Sequence, residues 1–181
     1  MTIASADTPP LGATVFLDFE ASSFWGWPIE VGLAWCDGPG PETRFRVTAF
    51  LIRPEPDWDK ADWDPLAEEV HGIALDHLRR RGAPAPDVAR AVARLIEGCT
   101  VVSDAADFDG ALLQRLFEAM PEAAPDVYVL DLAGLLRRLG PEAAARYDAA
   151  LAAAPAPHRA GPDALRLARG WQAAAGGPDA P

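Results

Sequence analysis

The chain has 181 residues, 50% of them hydrophobic, a formal net charge of -11 and a pI near 4.6. That length is enough for one domain with a sizeable core. The acidic balance excludes holding nucleic acid through a broad basic surface, because that mode needs clustered Lys and Arg. Residues 1–12 lack the basic and apolar regions of a targeting signal, and no apolar run reaches membrane-spanning length. Cys36 and Cys99 form no CxxC pair and read as small buried residues, so the expected compartment is reducing and cytoplasmic.

In chain order, the first strand-like run is 14–19, where Val15, Phe16 and Leu17 lead into Asp18-Phe19-Glu20. Side chains alternate along a strand, so Asp18 and Glu20 share a face and Phe19 takes the other. Two readings stay open on these residues alone: a solvated strand end, or two carboxylates gathered for a hard divalent cation. Runs at 30–36 and 44–52 complete three strands, with Cys36-Asp37-Gly38-Pro39-Gly40 as the turn between the second and third. The three predict an antiparallel meander. Trp58 and Trp63, set among acids that would repel a phosphate backbone, suit packing or a dimer contact. Helical spacing follows at 65–70 and at 86–97. His77 reads as a surface helix residue, and Arg79-Arg80-Arg81 as a solvated helix end.

Residues 100–103 predict a short strand, and Leu112, Leu113, Leu116 and Phe117 mark a helix that Asp107 is placed to cap. A last strand is expected at 127–130, with Asp131 capping a helix that runs to Leu139. An Ala-rich helix is broken at Pro155-Ala156-Pro157, and Pro162 opens the final one. The order β-β-β-α-β-α-β-α predicts an α/β fold: a mixed five-stranded sheet, three antiparallel strands then two crossover strands, flanked by helices. It would occupy 13–175 as a single domain, between a flexible leader at 1–12 and a disordered tail at 176–181.

Further acids stand at element boundaries. Asp109 and Asp163 each fall in the first turn of a predicted helix, where the helix dipole favours any acid. The dipole does not account for His158, one of only three histidines, close before Asp163.

Together these residues resemble the DEDDh branch of the DnaQ-like exonucleases, whose fold is ribonuclease H-like. Asp18-Phe19-Glu20 is similar to the first motif of that family, and Trp27-Pro28-Ile29-Glu30-Val31-Gly32 to its entry into the second strand. The second motif is matched by 101–109 with Asp109 as the family acid, and the third, His-x-Ala-x-x-Asp, by His158-Arg159-Ala160-Gly161-Pro162-Asp163. Val70-His71-Gly72-Ile73 resembles the His-Gly-Ile element of the proofreading subunit of bacterial DNA polymerase III. One departure stands out: Asp104-Ala105 replaces the His-Asn common in the family.

The resemblance implies a 3′-to-5′ exonuclease that uses two Mg²⁺ or Mn²⁺ ions and releases nucleoside 5′-monophosphates from single-stranded or short RNA or DNA with a free 3′ end. Asp18 would bridge both ions, Glu20 and Asp163 would hold one and Asp109 the other, and neutral His158 would take a proton from the attacking water. Ala21, Ser22, Ser23, Phe24, Trp25, His71 and Phe108 are the expected substrate contacts, with Phe24 and Trp25 either stacking on a base or closing the core below their loop. Glu30 reads as an ordinary strand-edge acid unless it supports a ligand. Some relatives are dimers, and a homodimer is the expectation here. Two alternatives remain: a catalytically silent interaction module, favoured by the altered Asp104-Ala105 pair, and a hydrolase of small phosphate esters.

Overall fold

The computed structural model describes residues 9–10, 12–36 and 44–176. Most of the expected leader, the turn at 37–40 and all of the expected tail but Gly176 lie outside the described residues. Strands β1 (Thr14–Ala21), β2 (Pro28–Cys36) and β3 (Phe45–Arg53) form the expected antiparallel meander. A two-residue strand, β4 (Ala83–Pro84), pairs in parallel with the end of β3. Strand β5 (Thr100–Ser103) runs parallel to β1, and β6 (Val129–Asp131) parallel to β5. The sheet therefore has six strands, ordered β4-β3-β2-β1-β5-β6, rather than five. The added strand carries no alternation, and its proline is tolerated only because it lies at the sheet edge.

Among the described residues there are seven α-helices, four between strands and three after the last strand: α1 (Pro65–His71), α2 (Leu75–Arg81), α3 (Ala85–Ile96), α4 (Ala106–Glu118), α5 (Leu132–Leu139), α6 (Pro141–Ala152) and α7 (Ala160–Ala175). Strand alternation sorts them into two layers. Val15, Leu17 and Phe19 join Val31, Leu33 and Trp35 on one face, packed against Val88 and Val92 of α3 and Leu113 and Leu116 of α4. Phe16, Ala34 and Val102 face the other way, onto Leu132 and Leu136 of α5, Tyr147 of α6 and Ala164, Leu167 and Ala168 of α7. Asp18 and Glu20 have the parity of Phe16, so they emerge on the α7 side at the end of β1.

Two details bring α7 close to the sheet. Gly32 of β2 has no side chain, and a Cβ there would lie 2.0 Å from the carbonyl oxygen of Ala160. Gly161 rests on Ala49 of β3, whose Cβ would be 2.9 Å from an added one. Small residues on both elements thus let the start of α7 lie against the backbone of β2, which larger side chains would prevent.

Trp58 and Trp63 pack. Trp27, 1% exposed, lies between them at ring distances of 5.5 Å and 5.6 Å and donates from its indole nitrogen to the carbonyl of Asp59 at 3.1 Å. His77 is exposed on α2, and Arg79 and Arg80 pair with Asp76 at its solvated end. Cys36 and Cys99 form no disulfide and are half-buried. Asp131 caps α5, accepting from the N–H groups of Ala133 and Gly134. Asp107 does not cap α4. That helix begins two residues earlier, after Ala105, and Ser103 supplies the turn by accepting from the Ala105 N–H at 2.9 Å.

Candidate metal centre

Three separated segments meet at the end of β1. Asp109 enters from the first turn of α4, 2% exposed, where it accepts a hydrogen bond from the Ser103 hydroxyl at the end of β5. Asp163 enters from the first turn of α7, 9% exposed, and accepts from the Arg159 N–H at 3.0 Å. His158 precedes α7 in the left-handed region, φ 53°, an uncommon conformation for a residue with a Cβ. Its side chain is exposed. Asp18, Glu20, Asp104, Asp109, His158 and Asp163 all line one cavity of about 270 Å³, together with Phe19, Ala105, Phe108, Ala156, Arg166 and Leu167.

Within that cavity the acids form two groups. Asp18, Glu20 and Asp163 each offer a carboxylate oxygen within 4.8 Å of the others, and so do Asp18, Asp104 and Asp109. Asp18 belongs to both. The departure at Asp104 therefore adds a carboxylate to the cluster.

Like charges at this spacing are unfavourable unless protonated or countered by a cation. Burial first, then the Asp109, Glu20, Asp163 and Asp104 carboxylates, push Asp18 up to about 9. Burial, then Asp163 and Glu30, raise Glu20 to about 7, against the opposing charge of Arg159. Asp109 is also raised to about 7 by burial, with the Ser103 hydrogen bond working the other way. Burial raises Asp104 as well. A set of mostly half-buried or buried carboxylate oxygens that resists ionising alone fits hard divalent cations such as Mg²⁺ or Mn²⁺.

The remaining expected contacts divide. Ala21 ends β1, and Ser22 is buried with its hydroxyl accepting from the Trp27 N–H at 2.9 Å, so that hydroxyl serves the turn. Ser23 is half-buried and accepts through its carbonyl from Gly26. Phe24 and Trp25 do not close the core: they are 68% and 84% exposed. Phe24 stacks on Phe108, ring centroids 5.6 Å apart, and meets Trp25 edge-on at 4.7 Å. An aromatic rim thus adjoins the acidic cavity through Phe108. His71 is buried at the end of α1, with Nδ1 accepting from the Ile73 N–H at 3.0 Å, and it does not line the cavity. Burial holds its pKa below the usual imidazole value.

Sequence reasoning underrated Glu30 and missed Arg159 and Arg166. Glu30 is no strand-edge acid: it is 3% exposed within β2 and opposite Glu20 in the β1–β2 register. A lone acid inside the buried run Pro28–Cys36 was the available signal. Arg166 lines the cavity while its guanidinium donates to the Ala154 carbonyl at 2.6 Å. Its position three residues after Asp163, one turn along α7, was the signal for it.

No family model matches the chain, and no curated protein does. Solved structures do. Zinc-bound E. coli exonuclease I in complex with single-stranded DNA aligns at a TM-score of 0.56 and 18% identity, over 71% of this chain and 30% of its own. E. coli exonuclease I with a dA16 oligonucleotide aligns at 0.55 and 18%, over 70% of this chain and 29% of its own. A ligand-free exonuclease I gives 0.55 and 18%, over 71% and 30%. The chain spans about three-tenths of the length of these proteins. What the likeness shows is the architecture: an α/β, ribonuclease H-like mixed sheet flanked by helices, shared with exonuclease I.

Proposed function

We propose that the protein is a metal-dependent 3′-to-5′ exonuclease of the DEDDh type, acting on single-stranded ends or short oligonucleotides of RNA or DNA. The observation that carries this is the sharing of Asp18 by two groups of carboxylates in one cavity that His158 also lines. Support comes as well from the fold, common to exonuclease I structures that hold single-stranded DNA.

Asp18 would hold both of two Mg²⁺ or Mn²⁺ ions, Glu20 and Asp163 one of them, and Asp109 the other. When bound, the ions supply an acidified water and positive charge for the phosphoryl and leaving oxygens. The protein's own side chains do the rest. Phe24, Trp25 and Phe108 stack on the terminal base, which suits any sequence because every base has a π-face. His158, open to solvent, accepts the proton of the attacking water through a ring nitrogen. The water oxygen bonds to phosphorus, the bond to the 3′ oxygen of the preceding nucleotide breaks, and a solvent proton completes the new 3′-hydroxyl. A nucleoside 5′-monophosphate leaves.

The test is stepwise shortening of a single-stranded oligonucleotide in Mn²⁺ by the wild type, Asp18→Ala and His158→Ala, each shown to be folded. Asp18→Ala is expected to abolish turnover, and His158→Ala to slow it by about 10²–10⁴-fold. Wild-type rates in both variants would contradict the proposal. Cleavage of small phosphate esters with the oligonucleotide left intact would identify a different hydrolase.

A further inference from the structure

Arg159 stands between His158 and Ala160 at the mouth of α7, and its side chain crosses to β2. Its Nε and Nη2 donate to the two carboxylate oxygens of Glu30 at 2.9 Å and 2.6 Å, and the Ala160 N–H adds a third bond to Glu30 at 3.0 Å. Paired forks of this kind are both strong and directional. The same residue acts through its backbone, where the Arg159 N–H donates to the Asp163 carboxylate at 3.0 Å. One position along the same face of β2, Gly32 admits the Ala160 carbonyl into a space that any side chain would fill. An ionic fork and a steric fit therefore fix the same point of the chain, immediately after the left-handed turn at His158.

We propose that Glu30 and Arg159 are positioning residues that clamp the segment carrying His158 and Asp163 to the strand beside Glu20. The proposal rests on the exonuclease reading of the site. Glu30 lies opposite Glu20 in the register, so the clamp ties the third motif to the strand next to the first motif's own. Without the fork, the start of α7 is held by packing and the single Ala160 N–H bond, and Asp163 and His158 lose their fixed distance from Asp18 and Glu20. Neither clamp residue lines the cavity.

The test uses the full chain with Arg159→Lys and the double variant Glu30→Gln/Arg159→Met. Lysine keeps the ion pair but not the two-bond fork. The double variant leaves no buried charge without a partner, so it isolates the loss of position. Mn²⁺ binding by calorimetry and kcat and KM on a single-stranded oligonucleotide are read, with thermal unfolding as the check on folding. The double variant is expected to bind Mn²⁺ about 10-fold more weakly and to lose about 10-fold or more in kcat with KM little changed, as loss of a ligand's supporting partner does elsewhere. Arg159→Lys is expected to fall between it and the wild type. Wild-type Mn²⁺ affinity and kcat in both variants would overturn the clamp. A wild type that neither binds Mn²⁺ nor shortens the oligonucleotide would instead overturn the exonuclease reading.

Discussion

Asp18 concentrates the electrostatic cost of the site. In the metal-free protein its pKa rises from 3.8 to about 9, Glu20 rises from 4.5 to about 7 and Asp109 from 3.8 to about 7. The folded state then binds more protons than the unfolded chain from about pH 4 to about pH 9, and stability falls as pH rises through that window. The melting temperature of the metal-free protein is therefore expected to drop across this range, and saturating Mn²⁺ to remove most of the drop. A metal-free melting temperature that climbs instead would contradict the burial of these acids. Asp18→Asn removes the most perturbed charge, so at pH 8 it is expected to raise the metal-free melting temperature while abolishing Mn²⁺-dependent turnover. Asp18 and Glu20 were legible because strand alternation alone puts them on one face. Glu30 with Arg159 was not, because the partners lie 129 residues apart and only the fold brings a buried acid to its cation.

Among the elements, the loop after β1 is presented firmly. Ser22 closes the turn on Trp27, Trp27 is locked among aromatic rings, and Arg115 of α4 donates to the Gly26 carbonyl at 3.2 Å. Those anchors leave Phe24 and Trp25 outside. Stacking contributes about 1–3 kcal/mol per base, so Phe24→Ala/Trp25→Ala is expected to raise the oligonucleotide KM by about tenfold or more with the fold intact. An unchanged KM would remove the aromatic rim from the substrate site. The contact of α7 with β2 gives a second test. Gly32→Ala forces a Cβ toward the Ala160 carbonyl, at a cost of about 1–3 kcal/mol of stability in denaturant unfolding, with weaker Mn²⁺ binding. The meander and the main helices were legible from period and capping chemistry, as at Asp131. Strand β4 and the start of α4 were not: pairing at the edge of β3 decides one, and the Ser103 turn onto Asp109 decides the other.

For the whole molecule, the proposed exonuclease activity requires a net charge of -11 to coexist with a polyanionic substrate. On that proposal the attraction has to be local, supplied by cations in the acidic cavity and by base stacking. Proteins that bind through many Lys and Arg lose affinity steeply as salt rises from about 50 to 200 mM. Here KM for a short oligonucleotide is expected to stay nearly flat over that range in constant Mn²⁺, because screening also relieves the repulsion between protein and substrate. A steep rise would reveal a basic docking surface and contradict local attraction. The sheet architecture was legible from the order of its elements. The close approach of α7 to the sheet was not, because it depends on Gly32 meeting the Ala160 backbone and Gly161 meeting Ala49.

Asp18 belongs to both groups of carboxylates and is proposed to join them into one centre for divalent cations. Anomalous diffraction from crystals grown with Mn²⁺ tests it most directly. Two peaks are predicted in the cavity, both in contact with Asp18, one also with Glu20 and Asp163 and the other with Asp109. A cavity without ions at saturating Mn²⁺, or peaks only at other surface acids, would contradict it.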